Sequence, residues 1–494
     1  MKAYQQLEDR FRRLAALGEA EGVLHWDSST LMPKGGASAR GEQLAALAVT
    51  RHELLTSDGV ADLLGAAEAE AQGLNDWQAA NLGHMRRRWR HATALPADLV
   101  EALTKACSAC EMVWREARPA ADFAAARPAL EEVLGLVRQA ARAKAEALGV
   151  SPYEALLDEY EPGGSVARIE AVFDELAAFL PGFLDQVLAR QTTAPEALGG
   201  PFPAAQQEAL GRRLMQAVGF DFDHGRLDVS LHPFCGGVPE DVRITTRYDE
   251  ADFLSGLMAV LHETGHAMYE RGLPPAWRLQ PVGEAGGMAL HESQSLLIEM
   301  QAARSPEFIA FMAPLAREVF GGNGGAWEVE NLLRHYHRVE RGFIRVDADE
   351  VTYPLHVILR FRLERALISG DLAPGDLPGA WNDGMAELLG VRPPDDGQGC
   401  LQDIHWYDGA WGYFPTYTLG ALAAAQFFDA ARRDLPEIPE ALGRGDFVPL
   451  MSWLRDKVHG AAARLTTDQL LEEVTGRPLD PAVFKAHLKA RYLT

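Results

Sequence analysis

Two histidines four residues apart, with a glutamate directly after the first, occur in the segment MAVLHETGHAMYE at residues 258–270. On a helix, His262 and His266 project from one face about one turn apart, a spacing that suits two nitrogen ligands of a tetrahedral metal ion. Glu263 is offset by about 100° and can reach a water molecule without binding the metal itself. The segment therefore predicts the H-E-x-x-H site of zinc peptidases. The competing interpretation is a buried helix with two hydrogen-bonded histidines.

Such a pair of histidines needs a third protein ligand. A metzincin would place a histidine six residues after His266, but this position is Gly272. A thermolysin-like site takes a glutamate from a later helix, and the candidates are Glu270, Glu284, Glu292 and Glu299. Glu292 lies within GGMALHESQSLLIEM, a helical pattern that could return antiparallel to the first helix, so geometry favours it. Three protein ligands leave one position of the metal open, as a catalytic site requires.

Most of the elements that must position these residues are predicted to be helices. Apolar residues recur at three- and four-residue intervals over 4–24, 38–56, 96–116, 127–148, 167–190 and 204–218. A helix of about 20 residues from Ala251 to Gly272 carries the two histidines. The segment RLDVSLHPFCGGVPEDVRITTRYDE at 226–250 instead has two apolar-alternating runs, Leu227, Val229 and Leu231 before a Gly/Pro turn and Val242 and Ile244 after it. It predicts an antiparallel hairpin, and GFIRV at 342–346 predicts a third short strand.

Composition and charge limit the class of protein. The 494 residues carry a net charge of −23, which disfavours nucleic acid and anionic membranes as partners. We interpret the one basic cluster, HMRRRWRH at 84–91, as a solvated helix face. No apolar run is long enough to span a bilayer and no signal-peptide core is present, so we expect a cytoplasmic protein. Cys107 and Cys110 form a C-x-x-C without a second pair and are interpreted as packed helix cysteines.

The motifs and their order resemble the carboxypeptidase Taq family of zinc metallocarboxypeptidases. HETGH and HESQS are accompanied by HPF at 232–234, DVRIT at 241–245, IRVDAD at 344–349 and GCLQDIHW at 399–406, with GYFPTYTLG after it. HWDSSTLMPKGGASARGEQLAAL at 25–47 is similar to the family's opening, so the resemblance spans nearly the whole chain. It implies that His262, His266 and Glu292 bind one zinc ion per chain and that Glu263 is the catalytic base. Cobalt could substitute for zinc.

The resemblance also implies the architecture and the partners. We expect a mainly α fold, a large helical peptidase with a deep active-site groove between two helical halves and a small antiparallel β-sheet near the metal site. Residues 1–494 would form a single catalytic unit, with an N-terminal helical half over roughly 1–200 and a metal-site half over roughly 201–494. Peptides cleaved from their C-terminal end are the expected substrates, and a homodimer is the expected assembly.

The reaction also requires donors to the developing oxyanion and an anchor for a free carboxylate. For the oxyanion we favour His405 and Tyr413, with Tyr417 and Tyr407 behind them, all in DIHWYDGAWGYFPTYTLG. Arginine holds a carboxylate best through its two-pronged fork, and the candidates are Arg345 first, then Arg243 and Arg341. His232 could contact substrate or close the hairpin. His291, next to Glu292, is expected on another face of its helix, outside the metal ligands.

Three other interpretations remain open. A zinc endopeptidase or oligopeptidase would share the metal site and differ in the carboxylate anchor. A di-iron carboxylate oxidase would use Glu263 and His266 as an E-x-x-H motif, but it needs two such motifs and no other histidine has a glutamate three residues before it. A non-catalytic helical scaffold would bind no stoichiometric metal and would leave the ordered motifs unexplained.

Overall fold

The computed structural model of the protein describes residues 2–230 and 233–493, most of which are α-helical. In chain order the helices are α1 Lys2–Ser29, α2 Ala37–Thr56, α3 Val60–Ala69, α4 Asp76–Ala94, α5 Ala97–Ala120, α6 Phe123–Leu148, α7 Pro152–Tyr160, α8 Val166–Arg190, α9 Ala204–Val218, α10 Phe253–Gly272, α11 Met288–Leu296, α12 Pro306–Phe320, α13 Val329–Tyr336, α14 Tyr353–Ser369, α15 Leu377–Leu389, α16 Pro415–Asp434, α17 Ile438–Leu442, α18 Val448–Lys457, α19 Thr467–Thr475 and α20 Pro481–Tyr492. The mainly α fold is therefore confirmed. Within the described residues, no helix is both long and apolar enough to cross a membrane.

Helix α10 begins two residues later than its periodicity predicts and ends where predicted. Asp252 caps its first turn, because the side chain accepts a hydrogen bond from the Leu254 N–H at 2.9 Å. The helix packs closely against α11 at Gly265, where an added Cβ would lie 2.5 Å from the Gln294 carbonyl oxygen. Only glycine permits this approach, which brings the two helices within reach of a shared site.

The strands form one sheet, and its pairing differs from the prediction. The strands are β1 Gly225–Val229, β2 Cys235–Val238 and β3 Asp241–Thr246, in the order β1-β3-β2. β1 and β3 pair in parallel, with Leu227 opposite Ile244, whereas β2 and β3 are antiparallel. The predicted antiparallel hairpin between the two apolar runs is wrong, because alternation identifies strands but not their partners. Leu231, assigned to the first run, lies outside the described residues.

The prediction of a strand at residues 342–346 is also wrong. The chain there is not paired with another strand, and a 3₁₀ turn spans Arg345–Asp347. Its apolar side chains alternate, but Arg345 between them is buried in a polar cluster and not exposed to solvent. Cys107 and Cys110 lie on α5 as free thiols, in agreement with their interpretation as helix cysteines.

The chain divides into two compact units, and each is assembled from three separate stretches. The first comprises Met1–Trp89, Ala194–Tyr336 and Ala423–Leu479. The second comprises Arg90–Thr193, His337–Leu422 and Asp480–Thr494. The first unit contains HETGH, HESQS and the sheet, and the second contains IRVDAD and GCLQDIHW. A single catalytic unit with halves that meet near residue 200 stays a prediction.

Helix α20 is fixed within the second unit by one buried carboxylate. Glu350 accepts hydrogen bonds from His487 Nε2 at 2.8 Å, Arg491 Nη1 at 2.9 Å and the Tyr492 hydroxyl at 3.3 Å. A buried carboxylate is stable only when its oxygens have such donors. The three donors all lie on or at the end of α20, so Glu350 and this helix depend on each other.

Another buried carboxyl in the second unit holds the loop before α16. Glu364 on α14 accepts from the Tyr153 hydroxyl at 2.8 Å and from the Gly412 N–H at 2.7 Å. Its side chain is fully buried, and burial raises its pKa to about 7. Near neutral pH this carboxyl is therefore partly protonated.

We expect Glu364→Gln to stabilise the protein relative to the wild type increasingly as the pH rises. The folded pKa of about 7 lies above the ordinary glutamate value of 4.5, so the stabilising contribution of Glu364 is fully present below pH 4.5 and is lost as the pH rises through 7. The contribution of Glu364 to the free energy of unfolding falls by roughly 3 kcal/mol over this pH range. Glutamine does not titrate, so the variant does not undergo this loss. The Tm of both proteins at about pH 5 and about pH 8 measures the effect. The exposed Glu387→Gln is the control, and an equal Tm difference at both pH values would contradict the prediction.

Candidate metal centre

Helices α10 and α11 bring the three predicted metal ligands together in the first unit. One potential ligand atom from each of His262, His266 and Glu292 lies within 4.8 Å of the other two. Glu292 Oε2 is 3.8 Å from His262 Nε2 and 3.4 Å from His266 Nε2. Glu284, another glutamate considered as a ligand, instead accepts a hydrogen bond from Arg88 Nη1 at 2.9 Å. Two imidazoles and a carboxylate form a donor set that suits Zn²⁺.

A hydrogen bond behind His262 determines which of its nitrogens faces Glu292. His262 Nδ1 is 2.9 Å from Glu299 Oε2, and Arg304 Nη2 donates to Glu299 Oε1 at 2.5 Å. A carboxylate accepts hydrogen bonds, so Nδ1 carries a proton and the neutral ring has its lone pair on Nε2. Glu299 lies in the π-helical turn Leu297–Ala302 that continues α11. The structure thus places Glu299 behind a histidine and outside the group of three.

The imidazole of His291 determines in the same way which nitrogen of His266 faces Glu292. His266 Nδ1 is 2.7 Å from His291 Nδ1, and His291 Nε2 is 2.9 Å from Glu270 Oε1. Because Glu270 accepts the proton of His291 Nε2–H, His291 Nδ1 can accept a hydrogen bond from His266 Nδ1–H. The Nε2 lone pair of His266 then also faces Glu292. Both histidines are therefore oriented to bind a metal ion, which this group of residues fits.

The charges in this group depend on one another. Burial alone would lower the pKa of His262, but Glu292 and Glu299 raise it to about 10. Burial alone would raise the pKa of Glu292, but His262 and His266 lower it to about 2. Burial and the neighbouring His291 lower the pKa of His266 to about 4. Metal binding would displace the proton of His262, because imidazole ligands bind in their neutral form.

Glu263 has the surroundings expected of a group that exchanges protons. It is buried, and within the described residues its Oε2 has no hydrogen-bond partner. Burial raises the pKa of Glu263 to about 7. A buried oxygen without a partner is costly, and a carboxyl that titrates near neutral pH suits proton transfer. Glu263 is therefore the candidate general base.

Two of the three arginines considered as carboxylate anchors already have strong partners. Arg243 on β3 donates from Nη2 to Asp241 at 2.6 Å. Arg341 donates from Nη1 to the Leu389 carbonyl at 2.6 Å and pairs with Asp185. Arg341 thus has both terminal nitrogens engaged, whereas Arg243 makes no hydrogen bond from Nη1 within the described residues. Arg341 is therefore the weakest of the three candidates.

Arg345 lies in the second unit and retains an unused donor. Its Nε and Nη2 donate to Asp403 Oδ1 at 3.0 and 2.8 Å. Within residues 2–230 and 233–493, Nη1 makes no hydrogen bond. The guanidinium lies over the Tyr417 ring, 4.7 Å from its centroid, which restricts its movement. Arg345 can thus offer donors to an anion from a fixed position.

The residues favoured for the oxyanion lie together in the second unit. His405 Nε2 is 3.1 Å from the Tyr417 hydroxyl, and the Tyr413 ring is 5.7 Å from the His405 ring. Burial and the nearby Arg345 lower the pKa of His405 to about 3, so this imidazole is neutral at pH 7. A neutral imidazole can donate one hydrogen bond and accept another. His232, a further candidate for substrate contact, lies outside the described residues.

Sequence reasoning missed Arg360 and Asp403. Arg360 on α14 is fully buried and donates from Nε to Asp403 Oδ2 at 2.6 Å. Asp403 belongs to the motif GCLQDIHW, and this was the only feature of the sequence that pointed to it. Arg360 lies in an apolar helical pattern that gives no indication of its role.

A helical fold in which an H-E-x-x-H helix meets a glutamate from a second helix defines a metallopeptidase. The chain belongs to the carboxypeptidase Taq (M32) metallopeptidase family, whose sequence model matches residues 6–492. The family resemblance predicted from the motifs is thereby confirmed. The protein is a metallocarboxypeptidase, an enzyme that acts on peptides and uses a divalent metal ion.

Related proteins match over their full length. Thermostable carboxypeptidase 1 of Thermus thermophilus is 39% identical over 99% of this chain and 98% of its own. Among solved structures, Trypanosoma cruzi metallocarboxypeptidase 1 has a TM-score of 0.97 at 42% identity, with 100% of both chains covered. The M32 carboxypeptidase of Deinococcus radiodurans R1 has a TM-score of 0.94 at 38% identity, over 100% of this chain and 99% of that one.

Proposed function

We propose that the enzyme is a zinc-dependent carboxypeptidase that removes C-terminal amino acids from peptides. His262, His266 and Glu292 hold the ion, and Glu263 is the general base. The observation that carries the proposal is the convergence of three potential ligand atoms within 4.8 Å of one another, beside the buried Glu263, whose Oε2 has no hydrogen-bond partner within the described residues. Co²⁺ suits the same ligands and is the alternative ion.

The residues have separate tasks in this reaction. When bound, the metal ion supplies a Lewis acid that makes a water molecule more acidic and polarises a carbonyl group. Glu263 accepts a proton from the attacking water and returns it to the departing amine. We propose that neutral His405 and Tyr413 donate hydrogen bonds to the developing negative charge, with Tyr417 hydrogen-bonded to His405.

Arg345 is the proposed anchor for the free carboxylate of the peptide. Unlike the guanidinium groups of Arg243 and Arg341, that of Arg345 is buried and shares its carboxylate partner, Asp403, with a second arginine, Arg360. An endopeptidase would share the metal site, and nothing in the metal geometry separates the two activities. A homodimer, a cytoplasmic location and the absence of nucleic-acid partners stay predictions, as does substrate contact by His232.

We expect the enzyme to bind one metal ion per chain and to shorten a free-acid peptide stepwise from its C-terminus, while the same peptide with a C-terminal amide stays largely intact. Arg345→Met should raise KM for the free acid by about 100-fold, because a charge-assisted hydrogen bond and the positive charge of the anchor are lost. Mass spectrometry of both digests and metal analysis measure these outcomes. The surface variant Arg362→Met, on the same helical segment as Arg360, is the matched control.

The alternatives give different results in this experiment. Internal cleavage of both peptides would identify an endopeptidase and would remove the role given to Arg345. A chain with no bound metal and no cleavage would be a helical scaffold. Unchanged KM in Arg345→Met, with cleavage still restricted to the free acid, would transfer the anchor to another arginine.

A further inference from the structure

Two buried arginines in the second unit share a single carboxylate. Asp403 Oδ1 accepts from Arg345 Nε and Nη2, while Asp403 Oδ2 accepts from Arg360 Nε at 2.6 Å. Gln402 Oε1 accepts from the Arg345 backbone N–H at 2.9 Å and from Arg360 Nη2 at 2.6 Å. Arg345 is 6% exposed and Arg360 0%. Water therefore screens neither guanidinium well.

The cluster has a net positive charge. Two guanidinium groups and one carboxylate sum to +1, since arginine keeps its proton in proteins. Burial lowers the pKa of the adjacent His405 and His356, so neither imidazole adds charge at pH 7. An unbalanced buried charge is costly unless an anion reaches it. Such a charge is expected where a binding site receives an anion.

Arg360 and Arg345 differ in what they can offer to that anion. All three nitrogens of Arg360 are used: Nε by Asp403, Nη2 by Gln402 and Nη1 by the His356 carbonyl at 2.7 Å. Of these two arginines, only Arg345 has a side-chain nitrogen that makes no hydrogen bond within the described residues. Arg345 thus makes the contact, but Arg345 and Asp403 alone would form a neutral pair.

We propose that Arg360 determines the specificity for a free C-terminal carboxylate. It binds one of the two oxygens of Asp403, so the single negative charge of Asp403 is shared between two arginines and the cluster around Arg345 keeps a positive charge. The inference rests on the proposed function of Arg345 as the anchor. Arg360 is a specificity-determining residue that acts through electrostatics and touches no substrate atom. Replacing it with a neutral residue makes the cluster neutral and leaves the hydrogen-bond donors of Arg345 in place.

The test measures kcat and KM of the metal-loaded enzyme with a free-acid peptide. Arg360→Met should raise KM by about 10- to 100-fold with little change in kcat, because the lost attraction acts equally on bound substrate and transition state. The surface variant Arg362→Met should leave both constants unchanged. Metal content and Tm verify that each variant is folded and loaded.

A double variant separates charge from shape. Arg360→Met combined with Asp403→Asn restores a net charge of +1, so its KM should return most of the way to the wild-type value. A double variant with KM as high as that of Arg360→Met would overturn the proposal. So would an unchanged KM in Arg360→Met. If that single variant does not fold, the double variant alone decides: a near-wild-type KM supports the proposal, and a raised KM overturns it.

Failure of the proposed function has a different signature. Wild-type enzyme that cleaves the free acid and the amide equally well would contradict the carboxylate anchor itself, whatever the variants do. Wild-type enzyme that prefers the free acid, together with an Arg360→Met variant of unchanged KM and preference, would contradict only the role of Arg360.

Discussion

We expect Glu263→Gln to lower kcat/KM for a free-acid peptide by about 10³- to 10⁴-fold while the metal ion stays bound. Glutamine has nearly the same shape but cannot accept the proton of the attacking water. Glu263 lies outside the group of three ligand atoms, so its replacement should leave metal content unchanged. Steady-state kinetics and metal analysis of the same preparation measure both quantities.

An exposed glutamate on another helix serves as the control for this prediction. Glu318 on α12 pairs with Arg213 at 3.3 Å, so Glu318→Gln should retain full activity. Two results would count against Glu263 as the base. One is activity within about tenfold of the wild type, and the other is loss of metal in parallel with loss of activity.

Glu292→Gln should weaken metal binding by more than about 10³-fold and abolish activity at metal concentrations that saturate the wild type. The variant loses the carboxylate of the proposed ligand group and leaves only two imidazoles to hold the ion. Competition with a chelator measures the affinity. Because a bound metal stabilises the folded state, added zinc should raise the Tm of the wild type and not that of the variant.

Glu299→Gln, in the helical segment that follows Glu292, should weaken metal binding less than Glu292→Gln does. Glu299 holds His262 by a hydrogen bond at 2.9 Å, and outer partners of this kind change metal affinity by about 10- to 100-fold. Its effect should therefore be smaller than that of Glu292→Gln. If the two variants bound metal equally well, the assignment of Glu292 as a ligand and of Glu299 as its support would be wrong.

The parts of the site that could be predicted from the sequence depend on local spacing. His262 and His266 share a helix face because they are four residues apart, and the helical pattern around Glu292 predicts a second helix. These features require no knowledge of distant residues.

The remaining features arise from contacts between distant parts of the chain. β1 pairs with β3 and not with β2, its neighbour in sequence, and alternation carries no information on that choice. Glu299 reaches His262 from a π-helical turn, whose presence a regular helical pattern does not indicate. Arg345 and Arg360 meet at Asp403 although they lie 58 and 43 residues from it. A buried charge cluster of this kind is visible only in the folded protein.

The anchoring of α20 by Glu350 has a consequence for biosynthesis. The second unit begins at Arg90, yet its buried Glu350 acquires three of its donors from α20, which belongs to the stretch Asp480–Thr494. A ribosome must therefore translate through the last stretch of the first unit, Ala423–Leu479, before the second unit can be completed. Neither unit corresponds to a continuous gene fragment, so excising one as an independent expression product would leave its core unfinished.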